Sequence, residues 1–182
     1  MLALSLANYV TTRSSMLASA DQQMQQLLHS QSAVLAQWVD GKKKVMASVV
    51  MSAETPDPLR AFQIAEKAGD FAEVFIGYAD KRSVFTHPGR PADFDPTARA
   101  WYTDTVKAGV PMLTPPYVDA ASHKLVVSFT APVGPKEALL GVAGADVLLD
   151  TVIANVVAIK PTPHSFAFLI DQGGSVIAHA NK

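Results

Sequence analysis

The chain contains no cysteine in its 182 residues, which removes thiolate nucleophiles, CxxC redox motifs, Cys-ligated zinc and disulfide frameworks together. That absence suits an oxidising compartment without fixing one. No excess of either charge is present: 15 Lys+Arg stand against 16 Asp+Glu, a net charge of −1. Neutralising phosphates needs a basic surplus, so nucleic acid is not an expected partner. Charged residues are scarce at 17% while hydrophobic residues reach 49%, which excludes intrinsic disorder and gives one compact domain with extra material. Also missing are GxGxxG, GxxxxGK[ST], GxSxG and HExxH, the signatures of nucleotide sites, lipases and zincins. The five histidines (29, 87, 123, 164 and 179) have no partner at i+3 or i+4. Neither an enzyme, a metal site nor a bound cofactor is expected.

Long hydrophobic runs are lacking too. Met1–Ala7 is apolar but far short of the roughly 20 residues of a membrane span, and it has no basic n-region or cleavage site. It reads either as the top of a membrane helix cut by the chain's start, with Tyr9 and Arg13 as interface anchors, or as the apolar start of a soluble helix. From there Val10, Arg13, Leu17, Ala20, Met24, Leu27, Gln31, Val34 and Trp38 recur at spacings of three and four, a stripe along one helix face. No proline interrupts residues 1–50, so they form one long spine. The stripe serves self-pairing, packing on the chain's own sheet, or both. Lys42-Lys43-Lys44 reads as a solvated face.

Thr55-Pro56-Asp57-Pro58 ends the spine. A short helix over 59–67 follows, then β-rich runs at 73–78 and 82–87 that read as a hairpin. Asp95 before Pro96 marks a helix start, with the helix reaching Lys107 and closed by Gly109. Strands are predicted over 124–131 and 139–146, a linking helix over 150–159, and a second hairpin at 165–170 and 175–179. His123 and Lys124 flank a turn; Phe75, Phe85 and Phe129 read as core. The order predicts an α+β fold with an antiparallel sheet. The final hairpin repeats the logic of 73–87, as if a second module began without room to finish. The expected units are the spine (1–50), a ligand-binding module (51–149), and a linker with the start of a second module (150–182).

The chemistry gathers in Phe94-Asp95-Pro96-Thr97-Ala98-Arg99-Ala100-Trp101-Tyr102, then Pro116-Tyr117-Val118-Asp119, then Gly141-Val142-Ala143-Gly144-Ala145-Asp146. In this order and spacing the set resembles the membrane-distal module of double Cache (dCache) domains, the extracytoplasmic sensors of bacterial methyl-accepting chemoreceptors. The resemblance covers nearly the whole chain and implies PAS-like Cache modules on a long N-terminal helix. It also implies a periplasmic location, membrane anchoring in the full-length protein and a homodimer formed through the helix. In the amino-acid-binding subgroup it implies a divided site: Arg99, Trp101 and Tyr102 for the ligand carboxylate, and Tyr117, Asp119 and Asp146 for its ammonium. Phe94 stands where that subgroup has a tyrosine, and lacks the hydroxyl that would donate to a carboxylate.

Such a division is physically sound. Arginine offers a planar fork matched to a carboxylate, and an ammonium is matched by carboxylates beside an aromatic face. A zwitterion between two such poles has both charges paired, which offsets desolvation. In a continuous helix Arg99 and Tyr102 share a face and Trp101 points elsewhere. Blander roles exist for each residue: Arg99 paired with Asp95, Trp101 and Tyr102 as core, Asp119 as a local turn cap. Asp146, ending an apolar strand, is the hardest to explain without a ligand. Two binding readings follow, a sensor of amino acids or ω-amino acids, and a sensor of polyamines or quaternary amines in which Arg99 is structural. An acid–base pair of Asp146 and His123 has no nucleophile or oxyanion hole to work with.

Overall fold

A computed structural model describes residues 2–159, 166–170, 174 and 176–179. Helix α1 spans Leu2–Ala53, about 78 Å at the usual helical rise. Its halves behave differently. From Val10 to Met24 the stripe residues are exposed and Leu27 is half-buried, whereas Met46, Val49 and Ala53 are buried against the sheet. The expectation that the stripe packs on the chain's own sheet therefore holds only from Trp38 onward.

Helix α2 (Leu59–Gly69) ends at Asp70, whose left-handed φ of 47° lets its N–H bond back to Glu66 and Lys67 carbonyls. The expected solvated Lys42 is instead buried: its Nζ donates to the carbonyls of Gly69 and Asp70 and lies 4.7 Å from the Phe71 ring centroid. Sequence alone hid this, because a three-lysine run on a helix points in three directions and one of them faces α2. The orphan carbonyls at the end of α2 supply the acceptors an ammonium needs.

The sheet comprises β1 (Glu73–Tyr78), β2 (Ser83–Phe85), β3 (Met112–Leu113), β4 (Tyr117–Val118), β5 (Leu125–Val133) and β6 (Gly141–Leu148). It is antiparallel in the order β2-β1-β6-β5-β3, with β4 also paired to β5. Alternation along the strands divides it into two faces. Val74, Ile76, Val127, Phe129, Ala143, Ala145 and Val147 pack under α1, α2 and the linking helix α4 (Leu149–Val157). Glu73, Phe75, Ser128, Thr130, Val142 and Asp146 belong to the opposite face, where Phe75 and Val142 meet Trp101 and Tyr102. A final pair, β7 (Phe168–Ile170) and β8 (Val176–His179), forms the expected second hairpin; its turn and the first residues of both runs lie outside the described residues.

Candidate functional site

Helix α3 (Ala100–Ala108) and the segment before it depart from the sequence expectation of one continuous helix. Asp95 does cap the start, its Oδ1 accepting from Thr97 N at 2.9 Å, but the residues it caps form only a 3-10 turn, Pro96–Ala98. Arg99 is then extended (φ −83°, ψ 144°) before α3 begins. The break cancels the expected shared face of Arg99 and Tyr102. It places Arg99 and Trp101 on the wall of one cleft, while Tyr102 packs edge-on behind Trp101 at 5.8 Å. Gly77 makes room for this wall: a Cβ there would sit 2.6 Å from Pro96 Cβ and 2.9 Å from the Trp101 ring.

The cleft brings together six of the seven predicted residues: Phe94, Arg99, Trp101, Tyr117, Asp119 and Asp146. Tyr102 is not on its lining. Phe75 and Phe85, assigned to core from sequence, line it as well, and so does Arg90, which the sequence reading passed over. Gly144 accommodates the Phe75 ring, whose nearest atom would lie 2.3 Å from an added Cβ.

At one pole Arg99 has no carboxylate within ion-pair distance among the described residues, and the bland pairing with Asp95 does not form: Asp95 is bridged to Lys81 at 2.8 Å. That bridge and the Thr97 hydroxyl hold the Asp95 carboxyl down at about 2. Phe94 gives Arg99 a ring face, 5.9 Å from guanidinium to centroid, and itself meets Phe85 edge-on at 5.6 Å.

The opposite pole is acidic. Strand pairing sets Glu73 directly across from Asp146, and Asp146 across from Ser128. Like charges so placed repel. Asp146 is buried, and burial pushes its carboxyl up to about 7 against the hydrogen bond from Ser128, with Glu73 and Asp119 adding to the rise. Ser128 Oγ donates to Asp146 Oδ1 at 2.5 Å, and the Tyr117 hydroxyl donates to the same oxygen at 3.2 Å. Burial and the Asp146 charge also push the Tyr117 phenol upward, so it stays a donor at physiological pH. The other oxygen of Asp146 has no hydrogen-bond partner among the described residues.

Asp119 does act as a turn cap: Oδ2 accepts from Ala121 N at 3.1 Å, Ser122 N at 2.6 Å and the Ser122 hydroxyl at 2.8 Å. Burial alone would raise this carboxyl, but the Ser122 hydrogen bonds and the charge of Arg90 outweigh it and hold it below the usual range. One carboxylate thus shapes the β4–β5 turn and presents its other oxygen, Oδ1, to the pole. The two missed members, Glu73 and Arg90, form a doubly hydrogen-bonded pair. Glu73 heads an apolar strand, the same signal that singled out Asp146. Burial nonetheless pushes Glu73 up despite Arg90.

A sheet with a long helix on one face and a polar, aromatic-walled cleft on the other is the architecture of PDC/Cache ligand-binding domains. Residues 30–154 match the family described as methyl-accepting chemotaxis protein-like, first PDC sensor domain, and the chain belongs to that family. It is 31% identical over 177 residues, 93% of this chain and 28% of the relative, to methyl-accepting chemotaxis protein PscA of Pseudomonas syringae pv. tomato. It is 27% identical, over 91% of this chain and 28% of the relative, to methyl-accepting chemotaxis protein PctB of Pseudomonas aeruginosa. The chain thus spans under a third of the length of these relatives. Among solved structures, the PctB ligand-binding domain with L-Gln superposes with a TM-score of 0.75 at 25% identity, covering 86% of this chain and 67% of that one. The PctC ligand-binding domain of P. aeruginosa with GABA gives 0.72 at 25% identity, covering 86% and 74%. The chain is a sensor domain of the chemoreceptor type, and these likenesses do not favour the amine alternative. No helix among the described residues is long and apolar enough to cross a membrane.

Proposed function

We propose that this chain is a binding module, not an enzyme, and that its cleft recognises a small amino acid or ω-amino acid as a zwitterion. One observation carries the reading: an arginine with no acidic partner among the described residues and a buried, half-satisfied aspartate line the same cleft. Arg99 takes the ligand carboxylate in a bidentate pair, with Trp101 as the wall beside it and Tyr102 bracing that wall. Asp146 takes the ammonium, with Tyr117 and Asp119 completing the pole. Phe94 orients Arg99 through its ring face and supplies no hydrogen bond of its own.

Residues 51–149 hold the whole cleft, residues 1–50 the spine, and residues 150–182 the linker and the start of a second module. In this reading the domain works outside the cytoplasm as part of a membrane-anchored receptor. The exposed residues Met16, Leu17, Met24 and Leu28 on the upper half of α1 support pairing with a second copy. Signalling then requires that the ligand favour one of two arrangements of the cleft against α1.

Calorimetric titration of the purified chain with neutral L-amino acids, γ-aminobutyrate, 5-aminovalerate, choline and putrescine tests this. Carboxylate-bearing amines are expected to bind, and Arg99→Ala to lose them by at least about 100-fold with an unchanged melting point. Equal affinity in Arg99→Ala, or binding of plain amines only, defeats the reading.

A further inference from the structure

Arg90 lies on the His87-Pro88-Gly89-Arg90-Pro91 loop between β2 and the Pro96 turn, yet only 10% of its side chain is exposed. Its guanidinium stacks on Phe85 at 3.6 Å from the ring centroid. Nη1 donates to Glu73 Oε1 at 2.7 Å and to the His87 carbonyl at 3.0 Å; Nη2 donates to Glu73 Oε2 and, at 3.3 Å, to Asp119 Oδ1. Its Nε–H is buried with no partner, so the side chain is not held by a fully matched set of acceptors. Oxygens of Glu73, Asp119 and Asp146 lie within 4.8 Å of one another. These three carboxylates also line a second, larger cleft, on whose wall Arg90 does not appear. A cation stacked on an aromatic ring between two carboxylates has the surroundings a ligand ammonium would seek.

We infer that Arg90 is a specificity-determining residue, a built-in cation that occupies the Glu73 side of the acidic pole, shares Asp119 with the ligand and leaves Asp146 as the one carboxylate of the pole without a cation of its own. The inference rests on the amino-acid reading above and narrows it to ligands with a single ammonium. A ligand with two cationic groups has to displace Arg90 or bring its second charge against it. Selectivity then comes from a repulsive element as much as from an attractive one. Without Arg90, Glu73 and Asp119 form a second cationic subsite continuous with the larger cleft.

The test is calorimetry on the purified chain with L-alanine and L-glutamine as single-ammonium probes and L-lysine, L-arginine and cadaverine as two-cation probes. The wild type is expected to favour the first set by about tenfold or more. Arg90→Met keeps the apolar stem over Phe85 and removes the charge. It is expected to shift the lysine-to-alanine affinity ratio by at least about tenfold toward lysine. Because Glu73 would then be a buried carboxylate without a cation, Arg90→Met/Glu73→Gln provides a second reading. With Asp119 still uncovered, its ratio should shift several-fold in the same direction. An unchanged ratio in either folded variant, or a wild type that binds lysine as tightly as alanine, overturns the role of Arg90 and leaves the amino-acid reading standing. A wild type that binds none of the five probes, nor γ-aminobutyrate or 5-aminovalerate, overturns both.

Discussion

The two faces of the sheet are built from the same strands and obey opposite rules. On the α1 face every inward residue is apolar, and Phe129 sits edge-on to both Trp38 and Phe71 at 6.3 and 6.2 Å. On the cleft face the alternate residues of those strands include two opposed carboxylates and the hydroxyls of Ser128 and Thr130. One face contributes stability by burying area. The other holds charges that burial disfavours, a cost that the apolar face has to offset.

Neighbours in sequence make the sharpest contrast. Phe129→Ala is expected to cost about 3–5 kcal/mol, seen as a melting point lower by roughly 6–20 °C, while the folded fraction keeps its ligand affinity. Ser128→Ala, one residue away on the other face, is expected to cost only about 1–2 kcal/mol but to weaken ammonium binding about tenfold, since the hydroxyl favours the charged form of Asp146. Thermal melts paired with titrations check both; equal loss of affinity in the two variants breaks the comparison.

Asp146→Asn should reverse the usual sign of a core substitution. The folded carboxyl titrates near 7 against an ordinary 3.8, so the native state holds a proton that the unfolded chain has already released. Stability from this group is full below pH 4 and is lost as the pH climbs through 7. Removing the charge is therefore expected to stabilise the unliganded protein by about 2–4 kcal/mol at pH 8 and to change little at pH 4, while abolishing ligand binding. Melting curves at the two pH values decide it, and a variant less stable than wild type at pH 8 would sink the account of the cleft face.

The first link between the faces is Lys42. Its ammonium ties α1 to the two residues that end α2, three positions before Glu73 enters the cleft, and burial lowers its pKa. Lys42→Met keeps the contacts with Trp38 and Phe71 but leaves two carbonyls without their donor. A loss of about 1–3 kcal/mol is expected by denaturant unfolding; no loss would mean that water satisfies those carbonyls as well.

Much of this was legible in the chain. Periodicity gave the helices, and β-rich apolar runs gave the longer strands, whose residues are buried on both faces; β3 and β4, two residues each, left no such run. The family resemblance carried by the motif order implied the site residues, and six of the seven line the cleft. Three things were not legible. The break at Arg99 depends on how Pro96 and Trp101 fit over Gly77, a tertiary contact. Lys42 looked like any surface lysine, since its acceptors are 27 and 28 residues away. Arg90 meets Glu73 and Asp119 across 17 and 29 residues, and nothing local to a Pro-Gly loop announces that its one cation turns inward. The clue available was Glu73, a carboxylate heading an apolar strand and needing a partner.

The smallest expected effect is also the one that ties the cleft face most directly to its ligand. Around pH 7 about half of the Asp146 carboxyls carry a proton in the unliganded protein. An ammonium placed against the remaining oxygen favours the ionised form, so binding must expel that proton. The expected release is most of a proton per ligand well below pH 7, falling toward none well above it. Titrations in two buffers of different ionisation enthalpy read this number directly. Apparent affinity should rise with pH through the same window, because protonated Asp146 competes with the ligand. A ligand that binds without proton release at pH 6 is not contacting the Asp146 carboxylate, and an ammonium pole centred on Asp146 would then be wrong.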